Sequence, residues 1–268
     1  MNSAVLSRQD GAVRILHINN PGKRNALTAE LYADLPAALF DAQSDVTVGA
    51  IVLTGSGDFF CSGGDLGQLA LRRAMNPAQR RAGLEGLHDL IRAIRHCSKP
   101  VIAAVEGGAV GAGMSIVLAC DMLVVARDAF FSVAYTKVGL TPDGGVTAFL
   151  AEFVSRQVLS ELCLTGERIS SERLHALGAV NRLADRGCAL GQAVALAACI
   201  AAGPTRANAR IKTLCWNAFG ADAVAQMELE ADFMVESQGD DEAAEGISAF
   251  LTKRPADFAE LRSRPHAP

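Results

Sequence analysis

The residues with the most chemical potential in this chain are glycines. Phe59-Phe60-Cys61-Ser62-Gly63-Gly64-Asp65-Leu66 sets two of them between a strand-like segment and a helical pattern. A turn of this kind aims backbone N–H groups into a cleft at a helix start, where the dipole favours negative charge. The plainer reading of the same residues is a tight turn. A second segment, Glu106-Gly107-Gly108-Ala109-Val110-Gly111-Ala112-Gly113, joins the strand-like Val101–Val105 to an apolar helix over Met114–Cys120. It again points unpaired N–H groups at one place. One N–H from each loop on one oxygen makes an oxyanion hole, in which a donor is typically worth about 2.7–4 kcal/mol in the transition state. Phosphate binding is the rival use of such loops, but neither has the G-x-x-x-x-G-K-[ST] order nor G-x-G-x-x-G opening a βαβ unit.

Other candidates are single side chains. Pro142-Asp143-Gly144-Gly145 reads by itself as a β-turn whose Asp bonds its own backbone. His88 lies beside Leu84 and Ile91 on an apolar helix face, where a packed, hydrogen-bonded histidine is expected. Ser62, His88 and Asp143 follow the order Ser, His, Asp, so hydrolysis is considered, but Ser62 lacks the G-x-S-x-G nucleophile elbow.

The elements that must hold these residues can be read from apolar periodicity. Short β-like runs occur at Val13–Ile18, Ala50–Thr54, Val101–Val105 and Met122–Ala126, and apolar residues recur at helical spacing in Leu84, Leu87, Ile91 and Ile94. Strand and helix alternate to about residue 200, which predicts an α/β core with helix-covered sheets. Gly203-Pro204 marks a boundary, giving a core over 1–203 and a helical region over 204–268 for oligomerisation or as a lid. In that region Val224, Met227, Ala231, Met234 and Val235 form an apolar stripe, expected to pack in the core.

Composition narrows the function. The 268 residues are 50% hydrophobic, enough to bury a core. A net charge of −4 with 5% aromatics and no basic stripe argues against nucleic-acid binding. Seven scattered cysteines without a C-x-x-C pair argue against a disulfide framework or a zinc site and favour a reducing compartment. The amino-terminal residues lack a basic segment followed by an apolar one, and the longest uncharged stretch, Gly187–Thr205, is broken by Gly191, Gln192 and Pro204, so a cytoplasmic protein without a membrane partner is expected.

In order along the chain, Pro21-Gly22-Lys23-Arg24-Asn25-Ala26-Leu27, the CSGGDL turn, Lys99–Gly113, Ala119-Cys120-Asp121, Gly139–Gly145, Leu164-Thr165-Gly166, Leu177-Gly178-Ala179-Val180 and Phe250–Arg254 resemble the signature segments of the crotonase, or enoyl-CoA hydratase/isomerase, superfamily. The resemblance implies an α/β crotonase (ClpP-like) ββα spiral with a helical carboxy-terminal extension, assembled as a homotrimer or dimer of trimers. It implies an acyl-CoA thioester substrate, coenzyme A being part of that substrate, with no metal or redox cofactor.

Carried over residue by residue, the resemblance puts the oxyanion-hole N–H groups on Gly64 and Ala112. Ala112 stands where the family usually has glycine, and a donor survives there if φ is negative. Arg24 and Ala26 fall on the CoA-contacting turn, Ser62, Gly63, Asp65 and Leu66 on the adenine and pantetheine side, and Phe250 and Lys253 on the carboxy-terminal contacts to CoA. The two glutamate positions that family hydratases use fall on Ser115 and Tyr135, neither a carboxylate. Asp143 matches the base of the phenylacetate-pathway isomerase branch and the aspartate of the 4-chlorobenzoyl-CoA dehalogenase branch, which also has a histidine at the place of His88. The resemblance therefore implies double-bond isomerisation by one carboxylate, in aromatic or fatty acid catabolism. Hydratase, dehalogenase-like or hydrolytic chemistry and a non-catalytic acyl-CoA scaffold are the alternatives.

Overall fold

The computed structural model describes residues 3–262. Strands β1 (Val5–Asp10) and β2 (Val13–Ile18) form an antiparallel hairpin. Helix α1 (Ala29–Ser44) begins at Thr28, whose hydroxyl accepts the Leu31 N–H, and buries Leu31, Leu35, Leu39 and Ala42 along one face. After β3 (Ala50–Gly55) come α2 (Leu66–Arg72) and α3 (Pro77–His96). A capping box of Asn76 with Gln79, and Pro77 in the first turn, start α3, which buries Leu87, Leu90, Ile91 and Ile94.

Next are β4 (Val101–Val105), β5 (Gly108–Val110), α4 (Ala112–Leu118), β6 (Met122–Ala126) and β7 (Phe130–Ser132). Then follow α5 (Val146–Ala151), α6 (Arg156–Thr165), β8 (Arg168–Ser170), α7 (Ser171–Ala176), β9 (Arg182–Ala184) and α8 (Ala189–Ala201). The remainder is helical: α9 (Thr205–Asn217), α10 (Ala223–Gln238), α11 (Asp241–Leu251) and α12 (Ala259–Arg262).

The strands form a six-stranded sheet, β1-β2-β3-β4-β6-β9, parallel except for the first pair, and a small sheet, β5-β7-β8. The four strands expected from sequence are its central members. The runs of β3, β4 and β6 are nearly continuously apolar because both faces are covered, whereas β2 next to the edge strand carries the partly buried Arg14 and His17. Ile51 and Leu53 of β3 join the core packed by α1 and α3, whereas Ala50 and Val52 face Ala189, Ala193, Ala197 and Ala201 of α8.

The carboxy-terminal helices are stitched to this body through a buried lysine. Lys212 of α9 donates to the carbonyls of Ile94 and Lys99 and pairs with Asp121 at 2.8 Å. Asp121 also accepts from the Val101 N–H and the Trp216 indole. The expectation for α10 is corrected: none of its residues is buried, and Val224, Met227, Met234 and Val235 are 59–70% exposed. The stripe is a surface, since none of the described residues covers it. Among the described residues no helix is long and apolar enough to cross a membrane.

Candidate active site

Two turns bring the glycine loops together. In the Pro21–Leu27 turn, Arg24 and Asn25 take φ of 49° and 56°. Asn25 tolerates that left-handed geometry and is fully buried, donating to the carbonyls of Ser56 and Phe59 while accepting the Asn20 N–H. This turn zips onto the first glycine loop: Ser62 N–H donates to Arg24 O, Leu27 N–H to Gly63 O, and Asp65 N–H to Leu27 O. Lys23 closes it with a 2.7 Å ion pair to Asp65, whose pKa is lowered first by that hydrogen bond. Asp65 in turn caps α2.

The second loop lies against the first. Val110 N–H donates to Cys61 O, and a side chain on Gly113 would meet that oxygen at 2.5 Å, so only glycine allows the approach. Gly63 and Gly111 take φ of +91° and +54°, the region glycine alone enters freely. The N–H groups of Gly64 and Ala112 have no acceptor among the described residues. Ala112 opens α4 and is not among the chain's positive-φ residues, so its donor persists without glycine.

The side chains transferred to the reaction centre meet at Asp143. The Tyr135 hydroxyl donates to Asp143 Oδ1 at 2.7 Å, and Ser115 Oγ donates to the Asp143 carbonyl at 3.0 Å. Burial, and next the charge of Asp143, push the Tyr135 pKa well up, which keeps its phenol a donor. Tyr32, the chain's other tyrosine, is pushed up to about 12 by burial and then by the same carboxylate. Asp143 itself is half-buried. Its second oxygen has no hydrogen-bond partner among the described residues.

The third cluster is a cavity of about 520 Å³ lined by Arg24, Phe59, Ser62, Phe130, Lys137 and Arg168. Phe59 and Phe130 meet edge to face at 5.9 Å, Arg24 stands over the first ring at 5.6 Å and Arg168 over the second at 4.0 Å. None of the three cations has an ion-pair partner among the described residues. Such a wall suits stacking and phosphate groups.

Other expected positions are placed elsewhere. Ser62 Oγ donates to Lys23 O, while His88 turns to Glu85 at 3.8 Å, so Ser62, His88 and Asp143 have separate partners and make no triad. His88 is half-exposed rather than a packed core histidine, because its turn of α3 reaches the charged face that holds Glu85 and Arg92. Ala26 is buried and Leu66 is 62% exposed. Phe250 and Lys253 stand at the end of α11, Phe250 84% exposed, and neither lines the cavity. Sequence reasoning passed over Phe59, Phe130, Lys137 and Arg168 as wall residues. The signal for the two phenylalanines was a pair of Phe-Phe dipeptides, one entering the first loop and one opening β7.

The model of the enoyl-CoA hydratase/isomerase family matches residues 8–261. The chain belongs to that family. A 1,2-epoxyphenylacetyl-CoA isomerase of Escherichia coli K12 is 32% identical over 96% of this chain and 99% of its own. A probable enoyl-CoA hydratase of Rhodobacter capsulatus is 36% identical over 91% and 93%. The crystal structure of an enoyl-CoA hydratase from Polaromonas sp. JS666 superposes with a TM-score of 0.92 at 43% identity, covering 94% and 98%. The crotonase fold is therefore shown. The chain is an acyl-CoA enzyme of the hydratase/isomerase family, whose members carry both names.

Proposed function

We propose that this enzyme is a single-carboxylate double-bond isomerase of enoyl-CoA thioesters. The observation that carries the reading is the meeting of Tyr135, Ser115 and Asp143, which leaves one carboxylate where family hydration uses two. Tyr135 and Ser115 fix that carboxylate by its side chain and its backbone. Asp143 Oδ2 then takes a proton from the carbon beside or conjugated to the thioester. The electron pair of the broken C–H bond moves toward the thioester oxygen, where the Gly64 and Ala112 N–H groups stabilise the enolate. Returning the same proton to a different carbon completes the shift. No oxidation state changes overall, so the step calls for no redox cofactor. Coenzyme A belongs to the substrate.

The cavity bearing Arg24, Lys137 and Arg168 supports a site for the anionic nucleotide handle. The isomerase name of the Escherichia coli relative is in keeping with the reading and suggests aromatic catabolism. We further propose that the chain works in the cytoplasm and that its exposed α10 stripe is covered by a second copy in a trimer or dimer of trimers.

The test is substrate choice by the wild type. A 3-enoyl-CoA should be isomerised at an ordinary enzyme rate, about 1–10³ s⁻¹, and crotonyl-CoA hydrated at least about a hundredfold more slowly. Hydration at the ordinary rate would make the chain a hydratase, and turnover of neither would favour a binding scaffold.

A further inference from the structure

One face of α3 runs past the candidate base and ends at an arginine that no described carboxylate neutralises. Gly83 and Gly86 lie on this face one helical turn apart. A side chain on Gly83 would meet the Arg72 Nε and Cζ at 3.1 and 3.2 Å, and one on Gly86 would meet the Tyr32 Cβ and Cγ at 3.0 and 3.2 Å. Leu87, next along, packs where a side chain on Gly144 would stand, 2.9 Å from its Cδ2. Arg72, Tyr32 and the Asp143-Gly144 turn therefore succeed one another along a single helix face. From the other side, Leu69 of α2 lies 3.7 Å from where a Gly64 side chain would be. Arg72 follows Leu69 by one turn of α2, an axial rise of about 4.5 Å.

Both outer groups are donors without partners. The Tyr32 hydroxyl has no hydrogen-bond partner, and Arg72 no carboxylate at ion-pair distance, among the described residues. The nearest acid on α3, Glu85, is already held by Arg81 at 2.9 Å and Arg92 at 3.2 Å. Arg72 is nevertheless partly buried. A guanidinium in that setting is suited to a planar two-oxygen anion, which it grips with two parallel N–H bonds.

We propose that Arg72 and Tyr32 form a subsite for a carboxylate at the far end of the acyl group, so that the preferred substrates are CoA monothioesters of short dicarboxylic acids. The proposal rests on the reading above for the position of the thioester, at Gly64, and of the base, at Asp143. An acyl chain running from Gly64 past Asp143 along the α3 face brings its last carbon to Tyr32 and Arg72. The phenol then donates one bond and the guanidinium two.

Binding of unreactive saturated thioesters tests the subsite apart from the reaction. Calorimetry on the full-length protein should find the CoA monothioester of a six-carbon dicarboxylic acid at least about tenfold tighter than hexanoyl-CoA. Arg72→Gln should bring that ratio to within about twofold, and Tyr32→Phe should lower it part-way. Hexanoyl-CoA binding by each variant reports that the protein is folded. A wild-type ratio near one, a ratio that survives Arg72→Gln, or equal binding of the ω-hydroxy analogue would overturn the proposal. Failure of the isomerase reading shows up separately, as absent turnover with the binding ratio intact.

Discussion

Replacing Asp143 by Asn separates the proposed base from the scaffold around it. The fold holds this residue through its carbonyl, which accepts from Ser115 Oγ and the Val146 N–H, and through one side-chain oxygen, which accepts from Tyr135. An asparagine keeps all three acceptors. What changes is one charge-assisted bond, worth about 1.5–3 kcal/mol, becoming a neutral one of about 0.5–1.5. The stability loss is then about 1–1.5 kcal/mol, a fall in Tm of about 2–6 °C. The rate loss is of another order, because the amide cannot take a proton: about 10²–10⁴ in kcat, or about 2.7–5.4 kcal/mol of activation free energy. The assay follows the ultraviolet absorbance gained as a 3-enoyl thioester becomes conjugated, beside a thermal melt of the same sample. A variant retaining kcat within about threefold of wild type would refute the reasoning and reduce Asp143 to a turn residue.

Gly64→Pro deletes one of the two proposed enolate donors and should lower kcat by about 10²–10³ while changing acyl-CoA affinity far less, checked by kinetics and calorimetry on protein with a wild-type circular dichroism spectrum. Asp121→Ala strands Lys212 among carbonyls and should cost about 3–5 kcal/mol, a fall in Tm of about 6–20 °C by calorimetric melting, whereas loss of a mere surface pair would cost under about 1 kcal/mol. Met227→Asp combined with Val235→Asp should convert the assembly to monomers in analytical ultracentrifugation, and a wild type that sediments as a monomer would contradict the covering of α10 by a second copy.

The parts of the fold legible in the sequence are those whose burial is complete. β3, β4 and β6 announce themselves as apolar runs because α8 and the α1/α3 layer cover both faces, and β2 does so through Val13, Ile15, Leu16 and Ile18 despite Arg14 and His17. β1 stays hidden since five of its six residues are exposed, and β5, β7 and β8 because three residues carry no period. The α10 stripe was misread for a different reason: periodicity reveals that a helix has an apolar face, not which molecule covers it. Within the site, the glycine loops and Asp143 came from motif order. The bond from Tyr135 to Asp143 did not, because an aromatic residue in a carboxylate's place reads as a wall until its hydroxyl is seen to point inward. Tyr32 and Arg72 were invisible, since only the bare surface of Gly83 and Gly86 brings them to the same helix face.

Helix α4 behaves as a short strut clamped at both ends. Its first residue, Ala112, presents a backbone N–H beside the Cys61 loop, and three residues past its last turn Asp121 is bolted to Lys212 and Trp216 of α9. Seven residues of helix are only about 10 Å long and resist bending. A push on α9 therefore arrives at the glycine loops as a displacement of the donor itself. Among the described residues the carboxy-terminal helices contribute no group to the proposed reaction centre, yet the alignment of that donor depends on where they sit.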